Sequence, residues 1–190
     1  MMRPGLCMAL LALLGTAAHA ASDDLDDLMH LLAGRQHGQV NFVEQHFLAV
    51  LSRPVESSGE LIYDAPDRLE KRTLQPRPES LVLAGDVLTV RRGRRDHVLD
   101  LKAYPQVLPF VESIRATLAG DRSALERIFR VDFAGSLARW TLVLVPRESQ
   151  VAKTVSQVRI NGSRDNLLHV EIREADGDRS LMTLRDQPAP

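Results

Sequence analysis

The chain has 190 residues, 44% hydrophobic and 26% charged, which fits one folded domain and excludes disordered or collagen-like architecture. Its 24 Lys and Arg against 25 Asp and Glu leave no electrostatic footprint for nucleic acid. The one cysteine, Cys7, excludes an internal disulfide, a CxxC pair and a cysteine-based zinc cage.

Residues Met1–Ala20 read as a secretory signal. Arg3 is its positive end, Leu6–Leu14 its apolar run, and Ala18-His19-Ala20 an A-x-A cleavage site. The run is too short to span a bilayer. A mature chain starting near Ala21 is therefore expected to be soluble, in the periplasm or outside the cell. Cys7 lies inside the apolar run and not at the cleavage point, so the mature protein is expected to carry no lipidated N-terminal cysteine. Residues 21–186 are read as a single domain and 187–190 as a disordered tail.

Ser22 reads as a helix cap, with Asp23, Asp24, Asp26 and Asp27 in the first turn, where the helix dipole favours acids. Leu25, Leu28, Met29 and Leu32 recur at helical spacing, and Gly34 ends the segment. Strand patterns follow at Val40–Leu48, Gly59–Tyr63, Leu69–Leu74, Leu81–Leu83 and Val87–Val90. Arg91–Arg95 is a basic hairpin tip, and His97–Leu101 returns. The period then changes. Val107, Leu108, Val111, Ile114 and Leu118 share one helical face up to Gly120, and Asp121 caps a second short helix with Leu125 and Ile128. Strands resume at Trp140–Val145, Val151–Ile160, Leu167–Arg173 and Ser180–Leu184, with Asn161-Gly162 and Asp176-Gly177 as hairpin turns. A single antiparallel sheet of about nine strands must curl, and its inner face is either covered by the three helices or left as a cavity.

Chemistry-bearing motifs are missing. The chain has no G-x-S-x-G elbow, H-E-x-x-H or P-loop, so no enzyme activity, metal or cofactor is expected. His30, His37, His46, His97 and His169 show no metal-ligand spacing and read as surface residues. The Asp23–Asp27 cluster lacks the glycine and spaced oxygens of a calcium loop. Arg91–Arg95 reads as a solvated tip, and Asn161-Gly162-Ser163 matches a glycosylation sequon too short to be informative.

One constellation is more specific. Gly59-Glu-Leu-Ile-Tyr-Asp-Ala-Pro66-Asp-Arg-Leu69 is followed by Pro78-Glu79-Ser-Leu-Val-Leu-Ala-Gly85-Asp-Val-Leu-Thr-Val90. This resembles the periplasmic outer-membrane lipoprotein carriers, the LolA family, and most closely its LolA-related branch. Phe42-x-Glu44 is similar to the family's early F-x-Q strand, and Leu108-Pro109-Phe110 to the T-P-F start of its lid helix. The resemblance implies an α+β fold, a half-open antiparallel barrel of about nine to eleven strands with three helices over its concave face.

It also implies a soluble, monomeric, non-enzymatic carrier. Acyl chains would be sheltered between a lid of Val107, Leu108, Phe110, Val111 and Ile114 and a wall of Leu61, Tyr63, Val82, Trp140 and Leu142. Partners implied are an inner-membrane releasing complex and an outer-membrane acceptor. At about 0.8 kcal/mol per methylene, an acyl chain needs such a shelter to cross water. Two family positions differ: Ala65 stands where the family has an arginine before the proline, and Leu69 or Lys71 where it has an aromatic. These changes keep other readings open: carriage of a different outer-membrane lipid, such as a glycolipid or pigment ester, or a LolB-like acceptor.

Overall fold

The computed structural model describes residues 17–104 and 108–186. Helix α1 (Ala17–Ala33) leads into six strands, β1 (His37–Phe47), β2 (Val55–Asp64), β3 (Arg68–Gln75), β4 (Glu79–Ala84), β5 (Val87–Arg92) and β6 (Arg95–Asp100). Helices α2 (Leu108–Leu118) and α3 (Arg122–Ile128) follow. The chain returns to strands in β7 (Phe129–Ser136) and β8 (Arg139–Pro146), makes the short helix α4 (Ser149–Ala152), and ends in β9 (Val155–Ser163), β10 (Asn166–Glu174) and β11 (Arg179–Asp186).

The strands form one sheet of eleven in the order β6-β5-β4-β3-β2-β1-β11-β10-β9-β8-β7. Every neighbouring pair is antiparallel. The two edges, β6 and β7, do not pair with each other, so the barrel stays open. These edges are consecutive strands, and the segment joining them carries α2 and α3. Helices therefore occupy the chain between the strands whose pairing would close the barrel. The architecture is the half-open α+β barrel expected from the sequence, with eleven strands.

Register separates the two faces. Gly38, Tyr63, Leu69, Leu83 and Leu88 lie side by side across β1–β5, as do Val40, Leu61, Lys71, Leu81 and Val90. Both rows are on the inner face. The opposite face carries Glu60, Arg72, Ser80, Arg91 and Asp96 in one row. Arg72 bonds Glu60 at 3.0 Å and Glu70 at 3.1 Å there, and Arg91 bonds Asp96 at 2.9 Å. A period-two alternation of apolar and charged residues thus gives one dry and one wet face.

The packed core sits over β7–β10. Leu25, Leu28, Met29 and Leu32 of α1, Ala116 of α2 and Leu125 of α3 bury against Phe129, Trp140, Leu142, Leu144, Val158 and Ile160. Asp121 caps α3 by accepting the Ala124 N–H at 2.8 Å.

Several elements depart from the sequence reading. Helix α1 starts at Ala17, not at a Ser22 cap, since alanine-rich sequence propagates helix readily. The aspartates therefore lie within the helix, and Asp26 pairs with Arg122 of α3 at 2.7 Å. Residues 1–16 of the expected signal and the 187–190 tail lie outside the described residues. Strand β7 is an addition: Phe129, Val131 and Phe133 alternate with Arg130 and Asp132. Where a strand was expected from Val151, α4 comes first and β9 starts at Val155. Asn161-Gly162 is not a turn but part of β9; the reversal falls at Arg164-Asp165, between the paired Ser163 and Asn166. Gly162 is required by packing instead, because a Cβ there would stand 2.1 Å from the Trp140 ring.

Candidate functional site

The helices cover the β7–β10 half of the inner face more fully than the β1–β4 half. Between that less covered face and α2 lies a cavity of about 190 Å³. Val40 of β1, Leu61 and Tyr63 of β2, Leu69 of β3 and Leu81 of β4 form one wall. Leu167, Val170 and Ile172 of β10 with Met182 and Leu184 of β11 form the other, and Ile114 and Leu118 of α2 the roof. Leu61, Leu69 and Leu81 are only half-buried, so these apolar side chains lack close-packed partners on the cavity side.

Two ion pairs interrupt this lining. Glu44, inward-facing on β1, is paired with Lys71 of β3. Its other oxygen accepts the Ser180 hydroxyl at 2.7 Å, and the Ser57 hydroxyl donates at 3.3 Å to the oxygen that Lys71 holds. The Lys71 ammonium lies 5.0 Å from the centre of the Phe42 ring. Burial pushes the Glu44 carboxyl up, but the Lys71 charge and hydrogen bond, with Ser180, outweigh it and hold the group below the usual carboxylate range. At the end of α1, Arg35 donates to Asp165 at 2.8 Å and to Asn166 at 2.5 Å, tying the helix to the β9–β10 turn. The hydrogen bond from Arg35 depresses Asp165 in the same way. Tyr63 is pushed up by burial and by Asp67, and its hydroxyl donates to the Pro66 carbonyl at 3.3 Å.

Helix α2 is fastened across the opening. Arg115 donates to the Gly85 carbonyl in the β4–β5 turn at 2.9 Å and also pairs with Glu112. Behind it, Leu101 at the end of β6 donates to the Asp86 carbonyl at 2.9 Å.

The residues picked from the sequence distribute unevenly. Leu61, Tyr63 and Ile114 line the cavity. Val82 does not: it pairs with Glu70 and Thr89 on the outer face, and its neighbour Leu81 points inward instead. Trp140 and Leu142 face inward but are sealed in the core beneath the helices, with the Trp140 N–H donated to the Arg164 carbonyl at 2.8 Å. Leu108 borders a separate cleft with Pro109, Ile128 and Val151, and Val111 is half-buried on α2 away from the cavity lining. Val107 lies outside the described residues, as does the Phe110 side chain. Arg68, which could have replaced the family arginine absent at Ala65, is on the outer face with Glu70 and Asp64. The ion pair was missed, yet its trace is in the sequence: Glu44 and Lys71 occupy apolar-parity positions of their strands, after Val40 and Phe42 and after Leu69.

The fold and cavity define a half-barrel protein with an apolar interior. Residues 17–187 match the family described as outer membrane lipoprotein carrier protein LolA-like, and the chain belongs to that family. A search of the curated proteins finds no match. Among solved structures, the chain is similar to a LolA superfamily protein from Nitrosomonas europaea at 11% identity and TM-score 0.47, over 90% of this chain and 94% of that one. It is similar to a putative outer membrane lipoprotein-sorting protein domain from Vibrio parahaemolyticus at 10% identity and TM-score 0.46, over 90% and 94%. A third likeness is to the lipoprotein LppX from Mycobacterium tuberculosis, at 9% identity and TM-score 0.45, over 88% and 98%. Among the described residues, no helix is long and apolar enough to cross a membrane.

Proposed function

We propose that this protein is a periplasmic carrier that shelters acyl chains of lipoproteins in its cavity and delivers them towards the outer membrane. The observation that carries the reading is the cavity between β1–β4, β10–β11 and α2, apolar on its walls and roof, in a member of the LolA-like family. Residues 1–20 act as an export signal, and partners are a releasing complex on one membrane and an acceptor on the other. Leu61, Tyr63, Leu69, Leu81, Ile114 and Met182 hold the chain. At about 190 Å³ the cavity is smaller than the ~300–1,000 Å³ of ordinary ligand sites. It takes part of one chain as it stands, and a multiply acylated anchor requires α2 to move away from the Gly85 turn. The ion pair within the lining favours a second reading, a carrier for a different polar-headed lipid.

The test is to incubate the purified protein with a triacylated lipoprotein and follow the mixture by size exclusion. A soluble complex is expected, and lipid extracted from protein purified from its host identifies the natural cargo by mass spectrometry. Failure of any acylated probe to form a soluble complex disproves the carrier function.

A further inference from the structure

Among the described residues, four charged side chains line the cavity: Arg35, Glu44, Lys71 and Asp165. They form two pairs, Glu44 with Lys71 and Arg35 with Asp165, so the lining is formally neutral. The pairs differ in how they can meet a ligand. Arg35 spans α1 and the β9–β10 turn, and its contacts to Asp165 and Asn166 are a structural tie. Lys71 instead reaches across β2 from the row of Leu61 and Leu81 to Glu44 on β1. The residue of β2 opposite Phe42 is Gly59, so no side chain stands between Lys71 and the Phe42 ring. Glycine is obligatory there, because a Cβ would stand 1.9 Å from the Arg72 carbonyl oxygen.

An ammonium has three donors. Glu44 accepts one of them and the Phe42 ring faces the charge; Lys71 also lines the cavity, where a remaining N–H can meet a ligand. Glu44 is nearly saturated, accepting from Lys71, Ser180 and Ser57. What the site offers is therefore a hydrogen-bond donor without net positive charge. A neutral carbonyl gains that bond and gives up only the modest hydration of an uncharged group. An ionised headgroup gains the same bond but must be desolvated beside the Glu44 carboxylate, with no unpaired cation to neutralise it.

Resting on the acyl-chain reading above, we propose that the cavity selects chains ending in an uncharged carbonyl, an ester or amide, over ionised fatty acids. Lys71 donates to that carbonyl, and Glu44 is the specificity determinant that rejects the anion.

The experiment is titration calorimetry at pH 8 with 1-monolauroylglycerol and with laurate, which share a chain and differ in headgroup; laurate is ionised there. The ester is expected to bind about tenfold more tightly. Glu44→Gln leaves the Lys71 charge uncompensated, and laurate is then expected to bind at least as tightly as the ester, a gain that a purely structural pair would not produce. Titrating laurate into the wild-type protein from pH 8 to pH 5 tests the idea independently of whether that variant folds: affinity rises as the headgroup takes up a proton. Equal affinities at pH 8, a preference for laurate, a ratio unchanged in Glu44→Gln or a flat pH profile overturns the inference while leaving acyl binding intact. Binding of neither probe overturns the acyl-chain reading itself.

Discussion

The two halves of the sheet are built from the same alternating pattern and put it to different ends. In β7–β10 the inward residues Phe129, Trp140, Leu142, Val158 and Ile160 are sealed beneath α1, α2 and α3. In β2–β4 the inward residues Leu61, Leu69 and Leu81 are as apolar but only half-buried. A single wide sheet offers more apolar face than three short helices cover, and the uncovered part becomes a cavity. Stability comes from the first half; the second half is left with unfilled contact capacity, which a bound chain would satisfy.

Truncation should expose the difference. Trp140→Ala is expected to cost about 3–5 kcal/mol in urea unfolding, because it empties a fully buried site and abandons the Arg164 carbonyl. Leu61→Ala should cost about 1 kcal/mol or less, since it enlarges a space that is already open. Equal losses would mean that the β1–β4 half is closed core and would break the contrast. Gly162→Ala drives a methyl into the Trp140 ring and should destabilise by about 1–3 kcal/mol.

The pair Glu44–Lys71 sharpens the comparison from the cavity side. Lys71→Met is expected to destabilise at pH 7 by about 1–3 kcal/mol, less than a fully buried pair because Lys71 keeps some solvent contact. The folded carboxyl titrates below its usual value, so its contribution is present above the unfolded pKa and fades as pH falls through the folded one. Unfolding midpoints measured down the acid range should therefore converge for wild type and Lys71→Met. Among the polar contacts the smaller effect belongs to the roof. Arg115→Ala removes the bond to Gly85 and should cost about 1 kcal/mol, with faster amide exchange in α2 and unchanged exchange in β8 and β9.

Much of the molecule was legible in its sequence. Alternation placed most strands, the helical spacing of Leu25, Leu28, Met29 and Leu32 marked the buried face of α1, and the Gly59–Val90 stretch pointed to the family that residues 17–187 match. Phe129–Phe133 also alternates and could have been read as β7. What local pattern cannot carry is which apolar residues end in core and which in cavity. Trp140 and Leu61 are both inward on their strands, and only the placement of α1–α3 over one half of the sheet separates them. Val82 and Leu81 show the other limit: in a run of consecutive apolar residues, parity is set by register with β3 and β5 and not by composition. Meeting across β2, Glu44 and Lys71 become a pair only once three strands are in register. Sequence determined the period, most of the turns and the kind of fold, because those depend on neighbours along the chain; the cavity and the ion pair in its lining were decided in three dimensions, where distant residues first share a surface.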